Sequence, residues 1–236
     1  ASPALAACNT MEMLDSVGQI EGSGNVVEEA REVGAFTRLD VGGAVTADVA
    51  IGAEQSVVIR SDDNILAIFE TVVEGDTLHV RPKQGRYNLD TTDGVHVTIT
   101  VPELEGVTAS GATTVAVDEV GPGAFEVQAS GAADVTIGTA RASELSLNAS
   151  GASEIAVGGG AASTLVADLS GASSLDVVDV KADRVTVGAS GASHASVTAI
   201  DDLDVTLSGA SSLCYTGEPG HIASEVTGGS SLDPCS

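Results

Sequence analysis

Large side chains and positive charge are what this sequence has least of. Aromatic residues make up 2% of its 236 positions, there is no Trp, and Met occurs twice. Such a composition excludes a bulky globular centre and suits a thin core of Val, Leu, Ile and Ala between stacked sheets. Nine Lys and Arg stand against 34 acidic residues, a formal charge of −25, and lysine occurs only at Lys83 and Lys181. Nucleic-acid binding depends on neutralising phosphates with Lys and Arg, so that partner class is excluded. The acid excess reads either as solubility, in a salty medium for instance, or as affinity for a divalent cation such as Ca²⁺. The Gly-Gly-x-Gly-x-Asp nonapeptides of a calcium-loaded roll are missing, and Thr98 and Thr100 are the only Thr-x-Thr pair, too few for an ice-binding ladder. With 43% hydrophobic residues the chain has enough apolar material to fold.

What the sequence does have is a repeat. Ser-Gly-Ala recurs with its glycine at Gly111, Gly131, Gly151, Gly171, Gly191 and Gly209, spacings of 20, 20, 20, 20 and 18 residues. A fixed short period marks stacked coils, because one such unit buries its apolar side only against copies of itself. Apolar residues fall at even offsets from each glycine, as in a half-buried strand. Four before it stand Val107, Val127, Leu147, Ala167, Val187 and Val205; four after it stand Val115, Val135, Ile155, Leu175, Ala195 and Leu213. Odd offsets are mostly Ser, Thr, Asp, Glu, Asn and Gln, so one side meets solvent. At roughly 3.3 Å per strand residue, twenty residues return in register only by bending into one turn of a coil, with like positions about 4.8 Å apart. The predicted fold is all-β, a parallel β-helix of about 20 residues per coil. Each glycine marks a bend or a close backbone approach, and the repeated serines read as a structural hydroxyl ladder.

Outside the regular coils the chain divides by pattern. Leu5-Ala6-Ala7-Cys8 resembles a bacterial lipobox, so residues 1–7 read as the remnant of a secretory signal and Cys8 as a lipidated cysteine anchoring the chain to a membrane. Residues 8–24 then form a polar tether, 25–106 an irregular β-helical part, 107–215 the regular coils and 216–236 a C-terminal cap. Within the irregular part, Leu39 to Ile51 keeps the alternation, and Pro82 to Gly94 reads as a loop holding the basic residues Lys83 and Arg86. With Cys8 lipidated, Cys214 and Cys235 remain as a disulfide pair for an oxidising compartment.

Gly22-Ser23-Gly24-Asn25, followed by Arg31, Phe36, the Leu39 to Ile51 strand and the Ser-Gly-Ala coils, resembles the putative autotransporter adhesin, head GIN domain family of bacterial envelope proteins, over about residues 22 to 232. The resemblance implies a right-handed β-helical envelope domain, often on a lipoprotein at the outer membrane, periplasm or cell surface, with an adhesive role. It brings no catalytic residues with it.

Outward residues supply the candidate site. Three after each glycine the column reads Thr114, Asp134, Glu154, Ser174, His194 and Ser212. Stacked Asp134 and Glu154 form a like-charge pair that raises one pKa or binds a cation, and His194 adjoins Ser174 and Ser212. A second outward column holds Gln128, Asn148 and Asp168. Asp134, Glu154, Asp168 and His194 are thus the candidate ligand or cation face. Nucleophilic catalysis would further need a group orienting His194 and an oxyanion site, so no catalytic residue, metal site or cofactor is assigned. The expected function is a lipid-anchored, non-catalytic envelope module that binds a glycan or an envelope or extracellular protein. The alternatives are a polysaccharide-active enzyme using Asp134, Glu154 and His194, or a purely structural protein.

Overall fold

The computed structural model describes residues 18–83 and 87–235. Its body is a β-solenoid of about 6 turns with about 20 residues per turn, the architecture that the repeat implies. Within one coil, Ala124–Gly131 forms a side, the chain turns at Gly131, and Asp134–Ala149 forms the next side and then bends within its length, its residues 144–149 beginning the following coil. Register holds position for position: Val107 lies beside Val127, then Leu147, Ala167, Val187 and Val205. These inward columns are buried along the whole stack, and they form one continuous core.

The turn explains the glycine. From Gly111 to Gly209 the repeat glycines have φ between +80° and +85°, a left-handed conformation that a Cβ disfavours. A Cβ on Gly171 would also stand 2.6 Å from the carbonyl oxygen of Gly151 in the coil before. That oxygen accepts the Ala172 N–H at 2.7 Å, so each turn is bonded to the last.

The buried hydroxyls belong to a column other than the expected one. The Ser-Gly-Ala serine faces outward; the residue two after the glycine, at Thr113, Ser153, Ser173, Ser193 and Ser211, points inward and is buried. Each donates to the carbonyl three residues earlier at 2.8–3.1 Å, which satisfies it inside the core.

Chain order and stacking order differ at the N-terminal end. Arg38–Gly43 pairs in parallel with Gly106–Gly111 on one edge and with Thr77–Pro82 on the other. Thr46–Ile51 likewise lies between Thr114–Val120 and His96–Val101. The coil of residues 38–51 is therefore clamped between strands that follow it, and residues 102–105 step back across it. Antiparallel strands close this end: Ser56–Asp62 on His96–Val101, Val26–Ala30 beyond it, and Phe69–Glu74 on Thr77–Pro82. Glu28 and Glu29 on the outermost strand discourage further pairing there.

The tether expected to reach Gly24 ends sooner, since Gly18–Glu21 pairs with Tyr87–Asp90 inside the segment read as a loop. Gly22 to Asn25 is then held by a one-turn helix and its approach. Asp62, fully buried, accepts the N–H of Gly24 at 2.9 Å and both the N–H and the hydroxyl of Thr92 at 2.8 and 2.7 Å. Asp63 accepts Ser23 Oγ at 2.5 Å and Asn25 Nδ2 at 3.0 Å. Those bonds, led by Thr92 for Asp62 and by Ser23 for Asp63, hold both carboxyls below the usual range. Residues 1–7 and Cys8 lie outside the described residues.

At the other end, the segment read as a cap lies on the last Ser-Gly-Ala coil as one further layer of the stack. His221–Val226 and Ser231–Pro234 continue the register of the strands before them. Their inward side chains, Ile222 and Val226, are 42% and 41% exposed because no described residue packs over them. The Cys214–Cys235 disulfide, with Cα atoms 4.9 Å apart and a sequence separation of 21, fastens this last layer to the one below.

Candidate functional site

The four candidate residues fall on two faces. Asp134 pairs in register with Glu154, Glu154 with Ser174, Ser174 with His194 and His194 with Ser212, all on the side that follows the glycine turn. Neighbouring rungs are about 4.8 Å apart, so Ser174 sets Glu154 and His194 about 10 Å apart. Asp168 lies before its glycine, on the side across the turn, beside Asn148 and Gly188. The two columns read from the sequence hold, but they lie on different sides of the glycine turn, so Asp134, Glu154 and His194 do not form one face with Asp168.

His194 has serines on both ring nitrogens, Ser212 Oγ at 2.8 Å from Nδ1 and Ser196 Oγ at 3.5 Å from Nε2. A Ser–His contact exists, yet no carboxylate among the described residues orients the imidazole, and the column is largely exposed strand surface. Among the described residues no group of three or more His, Cys, Asp and Glu is placed to hold a metal ion.

Two hollows carry more shape. The larger, of about 760 Å³, lies where residues 102–105 cross back, beside Gly121-Pro122-Gly123 and Glu126. Arg38 and Glu126 are engaged with one another there: Arg38 Nη2 meets Glu126 Oε2 at 2.5 Å, and Gln128 Nε2 donates to Glu126 Oε1 at 2.7 Å. The Gln128 hydrogen bond, followed by that from Arg38, holds the Glu126 carboxyl below its ordinary value. The Arg38–Glu126 pair ties the crossing to the regular coils, and Glu103, Glu105 and Glu144 make the rest of this hollow acidic.

The second hollow, of about 520 Å³, is a groove along the solenoid on Asp168's side. One wall is the outward column three before each glycine, Gln128, Asn148, Asp168, Gly188 and Thr206. The other is the Ser-Gly-Ala serine column, Ser130 to Ser208. Its floor is the alanines and Leu169 whose inner faces belong to the core. At Gly188 a rung is vacant, and Asp168 Oδ1 lies 2.7 Å from where a Cβ would be, so this carboxylate leans across the gap. Towards the N-terminal end the same column continues through Asp40 and His79, whose Oδ2 and Nδ1 lie 2.8 Å apart. Sequence reading passed over both the groove and this pair. The serine column was its visible signal, since side chains repeated on the outer surface at every turn must line a common strip.

Comparison with known proteins places this geometry. No curated protein matches the chain. Among solved structures it resembles a "putative adhesin" from Bacteroides fragilis NCTC 9343, with TM-score 0.86 and 19% identity over 92% of this chain and 100% of that one. It also resembles a "putative lipid binding protein" from Parabacteroides distasonis ATCC 8503, at TM-score 0.75 and 19% identity over 93% and 100% of the two chains. A "putative adhesin" from Parabacteroides merdae ATCC 43184 matches at TM-score 0.73 and 15% identity over 92% and 99%. At such identities the shared property is the fold. The model of one family, described as putative auto-transporter adhesin, head GIN domain, matches residues 35–219. That span takes in the Leu39 to Ile51 strand and all the Ser-Gly-Ala coils but not the Gly-Ser-Gly-Asn opening, and the chain belongs to this family.

Proposed function

We propose that the chain is a non-catalytic binding module of the bacterial cell envelope, tethered by lipid on Cys8, whose rigid solenoid presents its outer faces to an extracellular or periplasmic partner. The observation that carries this reading is the groove along one face of the stack, formed by like positions of successive coils and not by convergent catalytic groups. Membership of an adhesin family supports it, and the lipid follows from Leu5-Ala6-Ala7-Cys8. The acidic column of Asp134 and Glu154 supplies a further face, one that suits cationic or Ca²⁺-bridged partners and weakens with salt.

The rival is a polysaccharide-active enzyme using Asp134, Glu154 and His194. Incubating the purified chain with envelope and extracellular polysaccharides and matrix proteins, with and without Ca²⁺, while following both retention and new reducing ends, separates the two. Retention without turnover is expected; turnover that Glu154→Gln abolishes would overturn the reading. Intact-mass analysis of natively processed protein should show diacylglycerol on Cys8.

A further inference from the structure

We infer that the groove beside Asp168 binds one strand of an uncharged linear glycan laid along the solenoid axis, an inference that rests on the reading of this chain as a binding module. Charge is the first argument. The molecule carries a formal −25, yet Asp168 is the one ionisable side chain among the groove's lining residues. A neutral strip on so acidic a surface selects against polycations, which the other faces attract, and polyanions are repelled by the whole.

Unspent hydrogen-bonding capacity is the second. The Ser150 and Ser190 hydroxyls reach carbonyls only at 3.5 and 3.4 Å, and those of Ser130, Ser170 and Ser208 meet no protein acceptor among the described residues. A hydroxyl donates once and accepts twice, and the Asn148 amide does both. Such a row matches a polymer that itself offers hydroxyls on every unit. An acyl chain would leave these groups unpaired.

Backbone geometry favours a glycan over a peptide. Rungs recur about every 4.8 Å, whereas an extended peptide along the axis advances roughly 3.3 Å per residue, so only every third residue meets a like position, two rungs on, and the residues between do not match the rungs. A peptide laid across the axis would need a free strand edge, and every coil lining the groove is paired on both sides. At the vacant rung the Asp168 carboxylate, leaning over Gly188, is placed to accept two hydroxyls of one sugar.

The test uses the purified chain and affinity electrophoresis or calorimetry with linear malto-, cello- and chito-oligosaccharides, polygalacturonate, and an extended neutral peptide. Ser170→Lys fills the groove from an exposed position, and Glu119→Lys, exposed and outside the groove, is the control. The expected result is binding to at least one neutral glycan, reduced by about tenfold or more in Ser170→Lys, unchanged in Glu119→Lys, and steady between about 0.05 and 0.5 M salt. Binding of the peptide alone, of polygalacturonate alone, or of a glycan equally well by both variants would overturn the assignment. Retention of other envelope partners with no glycan bound would remove the groove's role while leaving the binding module intact. No retention of anything would remove both.

Discussion

Replacing Gly171 by alanine adds one carbon, and the structure says where it goes. At φ +81° a non-glycine residue costs about 1–2 kcal/mol. The new Cβ would lie 2.6 Å from Gly151's carbonyl oxygen, so the coils must separate locally and the 2.7 Å bond from Ala172 N–H to that oxygen is lost, about 1 kcal/mol more. The total is about 2–3 kcal/mol, or roughly 4–12 °C in melting temperature for a chain of this length. Coils are stabilised by their neighbours, so the weakness is felt on both sides. Gly121→Ala is the matched control: it has no atom within 4 Å of a new Cβ and no positive φ. It should be neutral or stabilise by about 0.5 kcal/mol by restricting the unfolded chain. Thermal and urea unfolding of the two variants measures the difference; midpoints equal within error would refute the account of the turn.

Leu147→Asp buries an unpaired carboxylate at a fully buried position and should cost several kcal/mol, while Asn148→Asp, one residue on and facing out, should cost little, as unfolding midpoints will show. Hydrogen bonds, led by Thr92 for Asp62 and by Ser23 for Asp63, hold both carboxyls below the ordinary aspartate range, so their contribution is complete above that range and is lost as pH falls through the lowered folded values. Proteolysis near residues 22–25 should therefore accelerate on acidification below about pH 4, and Asp62→Asn should show the accelerated rate already at neutral pH. Reducing Cys214–Cys235 should release a constraint of about 3 kcal/mol and raise hydrogen exchange in His221–Val226 and Ser231–Pro234; protection unchanged by reduction would count against its role as a fastening.

The regular coils were legible because apolar columns at even offsets from a fixed glycine allow no other packing, and the family resemblance rested on the same residues. Thr113, Ser153 and Ser173 escaped notice for a physical reason. A hydroxyl bonded to its own turn is as well buried as a valine, and an alternation of polarity cannot display that. Nor does alternation state which strand lies beside which, so the insertion of 38–51 between 77–101 and 106–120 left no trace. Asp168 was grouped with Glu154 because both are outward and acidic; the left-handed turn at Gly171 that puts Asp168 and Ser174 on different sides is a matter of geometry, not composition. The groove depends on the shape between two columns, which a one-dimensional reading cannot measure.

The backward step at residues 102–105 dictates an order of events during folding. A rung in the regular part needs only a strand 20 residues away, but Arg38 finds its neighbour Gly106 only after 68 further residues have been added. Closing that longer loop costs about 1 kcal/mol more than closing one of 20. The first-made coil is thus the last of its neighbourhood to be enclosed, and a chain that emerges N-terminus first holds residues 38–51 open until residues 77–111 arrive to sandwich them. The regular coils, whose rungs join strands about 20 residues apart, need not wait for that enclosure, so enclosing residues 38–51 is the non-local step of assembly.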